Sequence, residues 1–139
     1  MFAIFNFETV ILNHGDLRAD HLIVKNEAET YVWIDFDYEV DNPSYDLFGL
    51  GNVLLQVVGK GRHSLLDIRL RSSDYPDFNS SLTAGDMSRM YPHRVCNLGK
   101  LFPYISAALN RILMRFAVGA AEPYRSADDL LADLRLLFP

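Results

Sequence analysis

Residues 45–58 read YDLFGLGNVLLQVV, and this stretch most constrains what the chain can fold into. As a helix it would carry apolar side chains nearly all round, the pattern of a helix buried at the centre of a domain. Pro43 suits the helix entrance and Ser44 can cap it. GKG at 59–61 ends it. Just upstream, HLIV (21–24) and YVWIDF (31–36) are short apolar runs separated by the polar KNEAET (25–30), which predicts a β-hairpin. Strand alternation would put Tyr31, Trp33 and Asp35 on one face and Val32, Ile34 and Phe36 on the other.

The remaining sequence is less regular. The first dozen residues suit a helix end or a strand, with TVIL (9–12) strand-like. Residues 62–97 hold a short apolar piece, SLLDI, and then a polar stretch that reads as a long irregular connection. From Leu98 to Val118, Leu101, Ile105, Leu109, Ile112 and Phe116 recur at helical intervals, with Pro103 in a first turn or at a break between two helices. GAAEPYR (119–125) is a turn. Ser126 with Asp129 resembles a capping box opening a last helix, ADDLLADLRLLF. The expected fold class is α+β, mainly α, in a single domain spanning 1–139.

Composition narrows the function classes. The chain has 139 residues, half of them hydrophobic, and a formal net charge of −5, which argues against nucleic acid as a partner. No lysine-rich run suggests a membrane surface, and no apolar run approaches the ~18 residues that span a bilayer. MFAIFNFETVIL lacks the basic start and the small-residue cleavage site of a signal peptide. The single cysteine, Cys96, rules out an internal disulfide and multi-cysteine zinc patterns, so the expected location is the cytoplasm.

The polar residues that flank the hairpin carry the chemistry. HGDLRADH (14–21) precedes the first strand and IDFD (34–37) closes the second, so Asp16 and Asp35 lie 19 positions apart across a strand–loop–strand pattern. Taken singly, each has an ordinary reading. An aspartate in such a loop is an Asx cap, and Asp46 is a first-turn carboxylate favoured by the helix dipole.

Taken as an ordered set, HGDLRADH, IDFD and the helix from Tyr45 resemble the C-terminal lobe of the protein-kinase-like superfamily. There a His-Arg-Asp-x-x-x-x-Asn loop is followed by a hairpin, an Asp-Phe-Gly motif and a buried helix. Gly15 and the IDFD version resemble the aminoglycoside- and choline-phosphotransferase branch. LNRILMRFAVGAAEPYRSADDLLADL (109–134) is similar to the last two helices of bacterial serine/threonine kinases. The resemblance implies ATP- and Mg²⁺-dependent phosphoryl transfer to a hydroxyl. It gives Asp16 the acceptor side, Arg18 the transferred phosphate and Asp35 the metal. His21 stands where the family usually has a metal-binding asparagine, and lipopolysaccharide kinase-like members also carry histidine there. Asp37, in place of the glycine, would add a second carboxylate to the metal site. His14 would bond to backbone beneath the Asp-Phe turn, and Asp46 would hydrogen-bond to the backbone of the catalytic loop.

The resemblance also has gaps. Eight residues separate Asp37 from Asp46, too few for the activation segment of a protein kinase, and Pro123 stands where an arginine would pair with it. Thirteen residues precede His14, too few for a glycine-rich loop, a strand lysine and an adenine-binding hinge. The expectation is therefore a kinase-like C-lobe whose N-lobe is missing or supplied by a partner. The alternative is a pseudokinase-type module that binds a regulatory protein, with Phe2, Phe5 and Phe7 as candidate contacts.

Overall fold

A computed structural model describes residues 14–25, 30–37, 39–40, 42–75 and 81–138. Expectations for Phe2, Phe5, Phe7 and TVIL lie outside these residues. The apolar stretch forms helix α1 (Pro43–Val58). Its N-cap is Asn42, whose side chain accepts from the Ser44 amide at 3.0 Å. The expected cap, Ser44, instead sits inside the first turn, because Pro43 at the first helical position puts the non-helical capping residue one place earlier. Leu47, Val53 and Leu55 are buried, while Tyr45 and Val57 are exposed. The helix is thus central but not enclosed all round.

The hairpin pairs β1 (Leu22–Lys25) with β2 (Thr30–Trp33), antiparallel, in the register Leu22–Trp33 to Lys25–Thr30. The architecture is a small mixed α+β one, mainly helical, with this two-stranded ribbon. Strand alternation stops sooner than expected. Asp35 has a φ of 58°, a left-handed turn that brings Trp33 and Phe36 onto the same partner, His14. They do not point to opposite faces.

Residues 62–97 are more ordered than their composition suggests. Ser64 and Asp67 make a full capping box that opens α2 (Leu65–Leu70), and bridges join Ser64 to Arg94 and Met87 to Val95. This stretch supplies Ile68, Tyr75, Met87, Val95 and Cys96 to the core. Burial pushes the Cys96 thiol up to about 12, so it behaves as a small apolar side chain. The expected helical run 98–118 is interrupted. A 3-10 turn (Leu98–Lys100) precedes α3 (Ala107–Met114), with Pro103 in the break between them. Leu101, Ile105, Ile112 and Phe116 are all buried, so their spacing reported burial correctly and helix only in part. The last helix, α4 (Ala127–Leu137), packs on α3. Ser126 caps it by accepting from the Asp129 amide at 3.1 Å. Among the described residues no helix is long and apolar enough to cross a membrane.

One buried carboxylate ties the irregular region together. Asp86 accepts from the Thr83 amide at 2.7 Å, Asn97 Nδ2 at 2.6 Å and Lys100 Nζ at 2.9 Å. Burial alone would raise its pKa, but Lys100, Thr83 and Asn97 together hold it below the usual carboxylate value. A depressed folded-state pKa contributes stability that is present above the unfolded value of ~3.9 and is lost as pH falls through the folded one. Asp86→Ala, which removes the carboxylate partner of Lys100, Thr83 and Asn97, is expected to cost about 3 kcal/mol in urea unfolding at neutral pH. Acid destabilisation below about pH 4 should also be shallower in this variant than in wild type. Equal midpoints at neutral pH would contradict this role.

Candidate active site

The site begins with the first turn of α1. Asp46 projects back onto the loop before the hairpin, and its carboxylate accepts from the His14 amide at 2.5 Å and the Gly15 amide at 2.8 Å. On the loop's other side, the Asp37 amide donates to the His14 carbonyl at 2.8 Å. Gly15 has a φ of +79°, and a Cβ there would lie 2.0 Å from the Asp37 carbonyl oxygen. Only glycine fits. From below, Gly49 of α1 lets Leu17 approach so closely that a Cβ would stand 2.9 Å from the leucine's own. The loop is therefore pinned from helix, hairpin end and floor.

This pinning aims the charged side chains. A 3-10 turn (Ala19–His21) carries the chain into β1, and the Ile34 amide donates to the His21 carbonyl at 2.9 Å, extending the ribbon past its strand ends. His21 consequently lies between the two aspartates. Its Nδ1 is 2.9 Å from the Asp16 carbonyl oxygen and 3.6 Å from the Asp16 carboxylate. Its Nε2 is 3.8 Å from the Asp35 carboxylate. The His21 side chain is 12% exposed, against 40% for Asp16 and 70% for Asp35. Both carboxylates thus flank one imidazole and remain open to solvent. Arg18 is 3.9 Å from Asp16, but its guanidinium forks onto Asp20 at 3.1 and 2.6 Å.

The remaining sequence candidates are placed differently. His14 is 5% exposed and stacks on Phe36, ring centroids 4.3 Å apart. The Asp16 amide donates to its Nδ1 at 3.3 Å, and its Nε2 has no hydrogen-bond partner among the described residues. The ring packs against the Asp-Phe turn but makes no bond to that backbone. An orphaned buried donor of this kind costs about 1–3 kcal/mol. The Asp37 carboxylate accepts from the Glu39 amide at 3.0 Å. Among the described residues no group of three or more His, Cys, Asp or Glu is arranged to hold a metal ion. The expected trio of Asp35, His21 and Asp37 is not gathered into such a group, and the Asp37 carboxylate instead closes its own turn. The donor chemistry that fits Mg²⁺ is carboxylate oxygen, and this ion commonly takes one or two protein carboxylates with water and phosphate oxygens.

Sequence reasoning missed two residues here. Asp20 holds Arg18, and the opposite charges two positions apart in RAD were the available signal. Tyr91, from the stretch read as irregular, lies close enough to sense the charge of Asp16. Burial pushes its hydroxyl up, and Tyr45 and Asp16 push it further. No local pattern marked it.

Asp46→Ala leaves two loop amides without an acceptor. Hydrogen exchange at His14 and Gly15 is expected to speed up by about tenfold or more relative to α3, with about 2 kcal/mol lost in global stability. Unchanged exchange at these amides would remove Asp46 as the loop's anchor. No family model, no curated protein and no solved structure matches this chain.

Proposed function

We propose that this chain carries the catalytic half of a kinase-like phosphotransferase, moving a phosphoryl group from ATP to a hydroxyl acceptor. The observation that carries the reading is the convergence of the Asp16 and Asp35 carboxylates on either side of His21. Phosphoryl transfer depends on positioning and on charge neutralisation far more than on covalent help from the protein. Asp16 accepts the acceptor's proton as the hydroxyl oxygen bonds to the terminal phosphorus. The bond from that phosphorus to its bridging oxygen breaks, and ADP leaves with the electron pair. His21 holds Asp16 and spaces it from Asp35. Asp35 would hold Mg²⁺, which when bound neutralises charge on the phosphate oxygens.

Arg18 contributes the cation for the transferred phosphate. Its pairing with Asp20 is exposed at both ends, and such solvent-screened pairs are weak. A phosphate dianion therefore competes with Asp20 for the guanidinium fork. On this reading a second lobe completes the nucleotide site.

A second reading, a non-catalytic pseudokinase-type module that binds a regulatory protein, draws support from the exposed Ile23 and Val24 on the hairpin. Calorimetric titration with Mg-ATP and Mg-ADP separates the two. The catalytic reading expects a saturable isotherm for wild type and at least about tenfold weaker binding for Asp35→Asn. Flat traces for both proteins would count heavily against it. Identical isotherms would remove Asp35 from the metal.

A further inference from the structure

The far end of α1 has a backbone feature that its sequence does not require. The helix closes with the Gly59 amide on Leu55, the Lys60 amide on Val57 and the Gly61 amide on Gln56. This closure puts Lys60 in the left-handed region, with a φ of 57°. Glycine takes that position most cheaply, and a lysine there is strained. The lysine Nζ lies over the Tyr104 ring, 4.9 Å from its centroid. The Tyr104 hydroxyl in turn donates to the Val58 carbonyl at 3.2 Å. Tyr104 is half exposed and stacks on Phe102, centroids 5.3 Å apart.

This corner opens into a groove of about 420 Å³ between the end of α1, α2 and residues 102–104, within the size range of small-ligand sites. Lys60, Arg62 and Arg71 line it. Arg94 lies close to Arg62: burial, then the charge of Arg62, holds the Arg94 guanidinium below its ordinary value. Among the described residues none of these four cations has a carboxylate within ion-pairing distance. Two acids also line the groove. Asp67, which accepts from the Ser64 hydroxyl at 2.6 Å, and Asp74 both carry negative charge, so the described lining sets three cations against two carboxylates. Positive charge is therefore in excess here, on a chain whose net charge is −5. Cations at helix C-termini also complement the helix dipole. That accounts for the charge, but not for the left-handed Lys60 or the aromatic shelf beside it.

We propose that this groove binds a small phosphate monoester borne on an aromatic or planar ring. The phosphate sits among Lys60, Arg62 and Arg71, and the ring lies against Tyr104 and Phe102. The site is at the opposite end of α1 from the paired aspartates and does not depend on the phosphotransferase reading.

Calorimetric titration of the full chain with phenyl phosphate, inorganic phosphate and phenol tests it. Phenyl phosphate is expected to bind about tenfold or more tighter than inorganic phosphate, the ring adding its stacking to the charge. Lys60→Gly is the decisive variant. It relieves the left-handed strain, so the melting temperature should hold or rise, while phenyl phosphate affinity falls about fivefold or more. Adenosine monophosphate and O-phosphotyrosine, as competitors, separate the sources: the one that displaces phenyl phosphate at lower concentration identifies the ring. Equal affinity for phenyl phosphate and inorganic phosphate would overturn the proposal, as would wild-type binding by Lys60→Gly or failure of both competitors.

Discussion

The Asp46 carboxylate takes the backbone protons of His14 and Gly15, and the geometry of the candidate site follows from this contact. Each bond is charge-assisted and partly shielded, a setting in which a hydrogen bond contributes about 1.5–3 kcal/mol. The contact joins the central helix α1 to the charged loop before the hairpin. Once α1 is packed through Leu47 and Leu55, the position of Asp46 is set, and with it the loop that ends in Asp16.

Two further constraints turn an anchored loop into a possible reaction site. The left-handed turns at Gly15 and Asp35 fold the two loop segments against each other, with the Asp37 amide on the His14 carbonyl closing the junction. The ribbon then sets the spacing: the Ile34 amide on the His21 carbonyl keeps Asp35 beside His21. Two exposed carboxylates held near one imidazole form an arrangement that solvent and cations can reach. The buried Asp86 network has similar charges but is sealed by its donors, and it holds the fold instead. Exposure separates the two kinds of carboxylate more clearly than pairing does.

Much of this was legible in the sequence. Two short apolar runs around a polar turn revealed the hairpin, and the near-continuous apolar stretch revealed α1. The grouping of Asp16, His21 and Asp35 came from their order and from a family resemblance, since each motif alone says little. Other features were hidden for physical reasons. A left-handed residue at Asp35 breaks strand alternation, and nothing in IDFD announces it. Burial and helicity share a spacing, so Leu101 and Ile105 read as helix although they are buried in irregular chain. The α2 helix is short, and its Ser64–Asp67 box was a readable signal that went unused. The groove at Lys60 joins residues 59–75 to the distant 102–104, and its key feature is a backbone angle that a lysine does not advertise.

The central claim is that Asp16 and Asp35 face one shared, cation-accessible space beside His21. Paramagnetic broadening by Mn²⁺ in two-dimensional amide spectra, with and without ATP, tests it most directly. The account expects the amides of 14–21 and 34–37 to broaden together at low Mn²⁺, before those of the acidic first turn of α4, and more strongly with nucleotide present. Broadening that reaches one of the two loops without the other, or that begins at Asp128 and Asp129, would contradict it.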